Sequence, residues 1–448
     1  MKAIYSRRCW LDNKLQQATV YHYDGVITQI RKGNPENFEN IEDVGEYVLM
    51  PGVIDAHVHV NEPGRTDWEG FDTATKAAAA GGTTTFVDMP LNASPVTTTL
   101  KALKEKLAAT EGKLHVNCGF YGGLIPESQN ELEELIQSGV LGIKAFLIHS
   151  GIDEFPNVGE KELDEAMPII AKNNLPLLVH CELNDQNTNN DLLFHPTSYQ
   201  SYLASRPKSW ENEAIELMIN LCERHHCNTH IVHVSSAEAL AQIKEAKETG
   251  LQLTAETCPH YIFFNAEEIR DASTIYKCAP PIREKINNDL LKHALNEGVL
   301  NFIASDHSPA PPAIKEIETG NLQKAWGGIA GLQFLLPAAW SSLKDMMSLE
   351  KFIPLLTEKP AQFLQVDKQK GFIKEGYDAD FSIWSPEENF VVKKESILHK
   401  HKISPYVSQQ LSGFVHQTIV NGISVYEDGK IIETKTKPGK LLLSSKPS

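Results

Sequence analysis

Between Val53 and Ser308 one alternation repeats eight times: a short run rich in Val, Ile, Leu, Phe and Ala, then a stretch of helical or loop character. The runs fall at 53–58, 83–89, 115–120, 140–148, 176–181, 230–235, 251–257 and 301–305. Several are nearly continuous in apolar residues, the pattern of parallel strands covered on both faces rather than of half-exposed hairpins. The segments between them, such as Thr97–Lys113 and Glu160–Asn173, carry apolar side chains at three- and four-residue spacing with charges between, which is the helical period. Eight such units in one covalent run predict an α/β fold, a (β/α)8 barrel over 51–370.

Two flanks remain. Residues 1–50 and those from 371 onward hold short alternating runs separated by turn signals, among them Tyr23-Asp24-Gly25 and Asn421-Gly422, and they predict one small β-sandwich domain shared by 1–50 and 371–448. The last stretch, Thr434–Ser448, is rich in Lys, Pro and Ser and reads as a loosely packed end.

Composition narrows the function. The net charge is -16 with both signs interleaved, so no cationic stripe is offered to nucleic-acid phosphates or anionic lipid. No run approaches the roughly 20 apolar residues of a membrane span, and Met1–Gln17 lacks the apolar centre of a secretory signal, so a cytoplasmic setting is expected. Seven scattered cysteines without a C-x-x-C pair suit a reducing compartment. Cys222 and Cys227 flank His225 and His226, but on a helix spanning Ala214–Cys227 ordinary packing explains them more simply than a zinc site.

The chemistry concentrates at strand ends. In Asp55-Ala56-His57-Val58-His59 the two histidines share one face of the first strand, because strand side chains alternate. Active sites of such barrels sit at the carboxyl ends of the strands. Four more polar residues interrupt apolar runs there: Lys144 on the fourth, His180 on the fifth, His233 on the sixth and Asp306 on the eighth. Four imidazoles and a carboxylate exceed what one tetrahedral zinc uses, which implies two adjacent divalent ions. An ammonium at Lys144 would repel both. Either Lys144 points elsewhere, as a surface or substrate-binding cation, or its neutral amine reacts with carbon dioxide to give a carbamate able to bridge two metals. Water between two such ions would yield hydroxide near neutral pH. Asp306 would then take its proton and pass it to a departing amide nitrogen, acting as ligand, base and then acid.

The order His57-x-His59, Lys144, His180, His233, Asp306 resembles the amidohydrolase superfamily, in its cyclic-amidase branch of dihydroorotases, hydantoinases and allantoinases. The resemblance covers nearly the whole chain and implies that His57, His59 and Asp306 hold one metal, His180 and His233 the other, and a carboxylated Lys144 (N6-carboxylysine) bridges them. It also implies zinc, a homotetramer and a small-molecule substrate. Within the branch, Asn61-Glu62-Pro63-Gly64-Arg65, Asp88-Met89-Pro90-Leu91-Asn92, Glu256-Thr257-Cys258-Pro259-His260-Tyr261 and Ala325-Trp326-Gly327-Gly328 are similar to the allantoinases. That likeness implies opening of the hydantoin ring of allantoin to allantoate, a step of purine degradation. Dihydroorotases carry arginine two residues after the second histidine, where it can hold a carboxylate bidentately; here the residue is Asn61, although Arg65 stands four further on. Asn61, Asn92, Cys278, Gly327 and Gly328 are the expected substrate contacts, and His260 and His307 are expected to hydrogen-bond behind the ligands. Dihydroorotase or hydantoinase activity is the alternative. A non-catalytic scaffold is a third reading, opposed by all six ligand positions being filled.

Overall fold

The computed structural model describes residues 1–35, 37, 39–184 and 195–444. All eight runs form strands of one barrel: Val53–Val58, Thr83–Asp88, Asn117–Phe120, Ile143–Phe146, Leu177–His180, Thr229–Ile231, Leu253–Thr257 and Phe302–Ile303. They pair in parallel from the fourth to the eighth and from the first to the third. Gly122–Gly123 joins the third strand to the fourth. The ring closes through a parallel bridge from Val58 to His307, where the His59 amide donates to the His307 carbonyl at 2.8 Å.

Five of the eight strands stop short of their apolar runs at the carboxyl end, and at the sixth and eighth, which end at Ile231 and Ile303, the backbone reverses soon after. His233 (φ 41°) and Asp306 (φ 45°) turn into the left-handed region, which ends extended pairing and aims the side chain out of the strand direction. Helices fill the connections, including Leu100–Ala109, Glu160–Lys172 and Lys208–His225. Their buried faces join the strands in one continuous apolar core. Among the described residues no helix is long and apolar enough to cross a membrane.

The flanks meet in a nine-stranded sheet that takes strands from both ends of the chain. Its central seam is antiparallel pairing of Val48–Pro51 with Phe381–Val391. Two hairpins turn where two successive residues adopt positive φ, Asp24 and Gly25 (50° and 80°), then Asn421 and Gly422 (49° and 75°), the geometry these dipeptides favour. The sheet curls back on itself: Val26 bridges Asp378, and the Ala379 amide donates to the Gly25 carbonyl at 2.8 Å. Inside lie Ile4, Val20, Ile27, Leu49, Phe381 and Ile419, making this the small β sandwich.

The chain's last described stretch departs from expectation. Leu441–Leu442 pairs in parallel with Cys118–Gly119 of the third barrel strand, and the Ser444 amide donates to the Gly139 carbonyl at 2.8 Å. Residues 439–444 therefore pack on the barrel wall instead of hanging loose, with the Cys118 amide donating to the Lys440 carbonyl at 2.9 Å and the Gly439 amide to the Leu114 carbonyl at 3.0 Å; 445–448 lie outside the described residues. Trp384 joins the two units, fully buried against Trp340 and Phe352 at centroid distances of 5.9 and 6.2 Å. Trp384→Ala should cost about 3–5 kcal/mol, read as a lower denaturant midpoint at unchanged slope.

Candidate metal centre

Burial sets the chemistry at the carboxyl ends of the strands. His57, His180 and His233 are all withdrawn from water, and burial holds each imidazole below its ordinary range. Neutral imidazoles keep a lone pair, the state a metal requires. His57 Nδ1 lies 2.7 Å from Glu256 Oε1. With its proton there, Nε2 faces Asp306 Oδ1 at 3.3 Å, and His59 Nε2 reaches the same oxygen at 3.5 Å. These three residues form one cluster with ligand atoms within 4.8 Å of one another.

A second pair stands beside it. His180 Nε2 meets Glu182 Oε2 at 2.7 Å, which leaves Nδ1 turned to His233 Nε2 at 3.0 Å. The His57 and His233 rings are 5.5 Å apart between centroids, so the two pairs are neighbours. Glu182 is fully buried and held well below the usual carboxylate range by the Arg206 guanidinium and by His180, against its own burial. Arg206 Nε donates to Glu182 Oε1 at 3.0 Å, and Nη2 reaches the other oxygen.

Lys144 does not reach the surface. It is 0 % exposed, its Nζ has no hydrogen-bond partner among the described residues, and it lies 4.9 Å over the Phe146 ring. Burial lowers it to about 8, with Asp306 and Glu256 opposing. Buried carboxyls crowd the same place: burial raises Asp55 to about 7 and Glu256 to about 8. The folded chain thus surrounds facing imidazole nitrogens with buried acids, of which Glu182 is paired with Arg206 and neither Glu256 nor Asp55 has a Lys or Arg partner among the described residues, and an orphaned amine stands among them. This donor set fits divalent cations.

The remaining predicted residues divide. Asn92 and Gly327 line the cavity above the imidazoles, together with Phe146, Tyr202, Arg206 and Trp326; its volume is about 430 Å³. Asn61, Cys278 and Gly328 are not among the lining residues. Asn61 donates to the Pro309 carbonyl at 3.3 Å, and a Cβ on Gly328 would sit 2.5 Å from the Ser308 carbonyl oxygen. Asn92 Nδ2 stands 3.4 Å from His59 Nδ1. Arg65 is occupied, donating to the Asn92 carbonyl at 3.0 Å and to Glu154 at 2.8 Å. His307 accepts from the Gly331 amide at 3.2 Å and holds a loop rather than a ligand. His260 sits with Cys258 beside Asp306, its Nε2 unpartnered among the described residues. Cys222, Cys227 and His225 form no metal cluster among those residues; His225 pairs with Asp164 at 2.7 Å.

Sequence reasoning did not single out the carboxylates behind the imidazoles. Glu182 two residues after His180 was a readable signal; Glu256 bridging His57 and His230, the latter at 3.2 Å, was not, since the three lie on different strands. The buried pair Lys106–Asp88 at 2.6 Å also went unnoticed, and Asp88 accepts from the Val60 amide beside His59 at 2.8 Å.

A model of the amidohydrolase family matches residues 48–425. This chain belongs to the amidohydrolase family. Among its curated relatives are the allantoinase of Arabidopsis thaliana, 42% identical with 95% of this chain and 88% of the relative covered, and that of Saccharomyces cerevisiae, 38% identical over 91% and 88%. The L-hydantoinase (dihydropyrimidinase) of Arthrobacter aurescens superposes with a TM-score of 0.91 at 27% identity, covering 99% of this chain and 100% of that one. Membership of the amidohydrolases implies a hydrolase that uses divalent metal, in keeping with the donor set above. Glu256→Gln should weaken divalent-metal retention about 10–100-fold by freeing the His57 tautomer, measured as metal content after dialysis against graded chelator.

Proposed function

We propose that this protein hydrolyses the hydantoin ring of allantoin to allantoate. In this reading His57, His59 and Asp306 would hold one divalent ion, His180 and His233 a second, and Lys144, as N6-carboxylysine, would serve both. Two such ions, zinc by preference for imidazole and carboxylate donors, would polarise the ring carbonyl and lower the pKa of water toward ~7. The observation that carries the site is the buried, partnerless Lys144 amine among facing imidazoles. A neutral amine can be carboxylated; an ammonium there could not be tolerated beside dications.

The chain's own groups do the rest. Glu256 and Glu182 fix the two ring tautomers, so that His57 Nε2 and His180 Nδ1 present lone pairs. Asp306 Oδ1 meets both His57 and His59, which leaves Oδ2 to accept the proton of the attacking water and return it to the leaving ring nitrogen. Phe146 and Trp326 give the cavity an apolar wall on either side.

The preference for a neutral ureide over dihydroorotate rests on occupied guanidiniums, with Lys277 also held by backbone carbonyls. Arg65 is spent on Glu154 and the Asn92 carbonyl, Arg206 on Glu182, and Lys277 on the carbonyls of Ala325 and Gln323 at 2.6 and 3.2 Å. A substrate carboxylate would be buried without a bidentate partner, which costs much of its affinity. The likeness to allantoinases over most of the chain supports the same substrate. The reading extends to a homotetramer and to a reducing, cytoplasmic setting, in which the seven free cysteines stay reduced.

Allantoin turnover abolished by chelator and restored by divalent metal is the expected result, with dihydroorotate at least ~100-fold poorer in kcat/KM. Turnover of dihydroorotate alone would overturn it. Carboxylation needs the neutral amine, and Lys144 falls to about 8 in the metal-free protein. At fixed dissolved carbon dioxide, reconstitution of the metal-free protein should therefore speed up about tenfold per pH unit below that value and level off above it, followed as recovery of activity over time.

A further inference from the structure

Lys315 is buried without a counter-ion. Its residue is 4 % exposed, and no acid pairs with it among the described residues; the titratable groups that face it are the Cys278 thiol and the Lys277 ammonium, with His401 lining the same small cavity. Its ammonium is taken by three backbone carbonyls instead: Gly328 at 2.7 Å, Trp326 at 3.0 Å and Lys277 at 3.2 Å. These oxygens belong to two loops far apart in sequence. Both face the cavity, through Lys277 and Ala279 on one side and Trp326 and Gly327 on the other.

Other contacts converge on the same knot. The Gly328 amide donates to the Lys277 carbonyl at 2.9 Å, and the Trp326 amide donates to the Ile314 carbonyl at 2.9 Å. Glu316 is turned to φ 51°, a strained reversal directly after Lys315. Gly328 is pressed against Ser308, two residues past Asp306. Withdrawing an ammonium from water against carbonyl dipoles alone is unfavourable. A residue kept for packing would be better served by a methylene chain without the charge.

We propose that Lys315 is a positioning residue: its ammonium ties the 277–280 loop to the 326–328 loop and so fixes the cavity wall against which the ring substrate is held. The catalytic consequence rests on the cyclic-amide reading above, whereas the tie itself does not. Burial lowers Lys315 to about 7, helped by Lys277 and opposed by Cys278. The ammonium, present below that pH, donates three hydrogen bonds and the amine above it two. The tie therefore loosens as pH rises, and it tightens as pH falls.

The test uses the full-length, metal-loaded protein with Lys315→Met and Lys315→Gln. In Lys315→Met, amide hydrogen exchange should rise about tenfold or more in peptides covering 277–280 and 326–328 and stay unchanged in the barrel strands. KM for allantoin should rise about tenfold while kcat falls less than about threefold, since a loosened wall costs substrate holding first. Lys315→Gln, which keeps two donors, should recover part of both. In the wild type KM should climb as pH rises through about 7, and in Lys315→Met that climb should vanish. Unchanged exchange in the two loops, exchange raised uniformly across the chain, or faster loop exchange with KM unaltered would each overturn the proposal. If Lys315→Met does not fold, the wild-type dependence of loop exchange on pH decides alone. If the wild type does not turn over allantoin, the substrate assignment falls while the exchange comparison still judges the tie.

Discussion

Desolvation is the constraint from which the rest of this molecule follows. A parallel barrel covered by helices buries its strand ends, so every ionisable group placed there must be neutral, paired or bound to an ion. His57 and His180 are paired through their outer nitrogens with Glu256 and Glu182, and Glu182 in turn with Arg206. Lys144 is left over. On the fourth strand it lies in register with Leu178 of the fifth, and its Nζ has no hydrogen-bond partner among the described residues. A single unpartnered amine is costly in a protein that must be stable, and it is useful in one that must gather cations.

Two layers of rigidity surround that amine. The inner one is hydrogen bonding from carboxylates to imidazoles. The outer one is the left-handed backbone at Asn61, Asn92, His233 and Asp306, with φ from 41° to 68°. For His233 and Asp306 such a conformation costs on the order of 1–3 kcal/mol each. Both are held by packing around them, Asp306 between the bridge at His307 and the buried amide of Ser305 that donates to Asp55 at 3.1 Å.

How far the amino-acid order foretells this can be judged residue by residue. The eight strands were legible because strands covered on both faces read as apolar runs, and the polar interruptions at strand ends fall on side chains that the fold brings near one another. Asp24-Gly25 and Asn421-Gly422 announced their hairpins because few other pairs accept two positive φ angles. Strand ends were overestimated at 230–235 and 301–305, since His and Asp tolerate the left-handed reversal found at His233 and Asp306 but an apolar run gives no sign of where it will be used. Glu256, Lys106 and Lys315 escaped notice for a related reason: their meaning lies in partners on other strands and loops. The tail was misread because Lys, Pro and Ser suggest mobility, whereas its pairing partner stands more than three hundred positions earlier.

That late partner bears on how the molecule assembles. The third strand and the approach to the fourth are bridged, at the end away from the metal centre, by Leu441–Leu442 and Ser444. A nascent chain leaving the ribosome has all eight staves of the cask long before it has this wedge. Until the wedge arrives, the seam beside Cys118 and Gly139 stays ajar with bare amides and carbonyls, the kind of edge that recruits stray strands. Closing that seam therefore waits for residues 441–444, and displacing them would open the barrel's joint between the third and fourth strands.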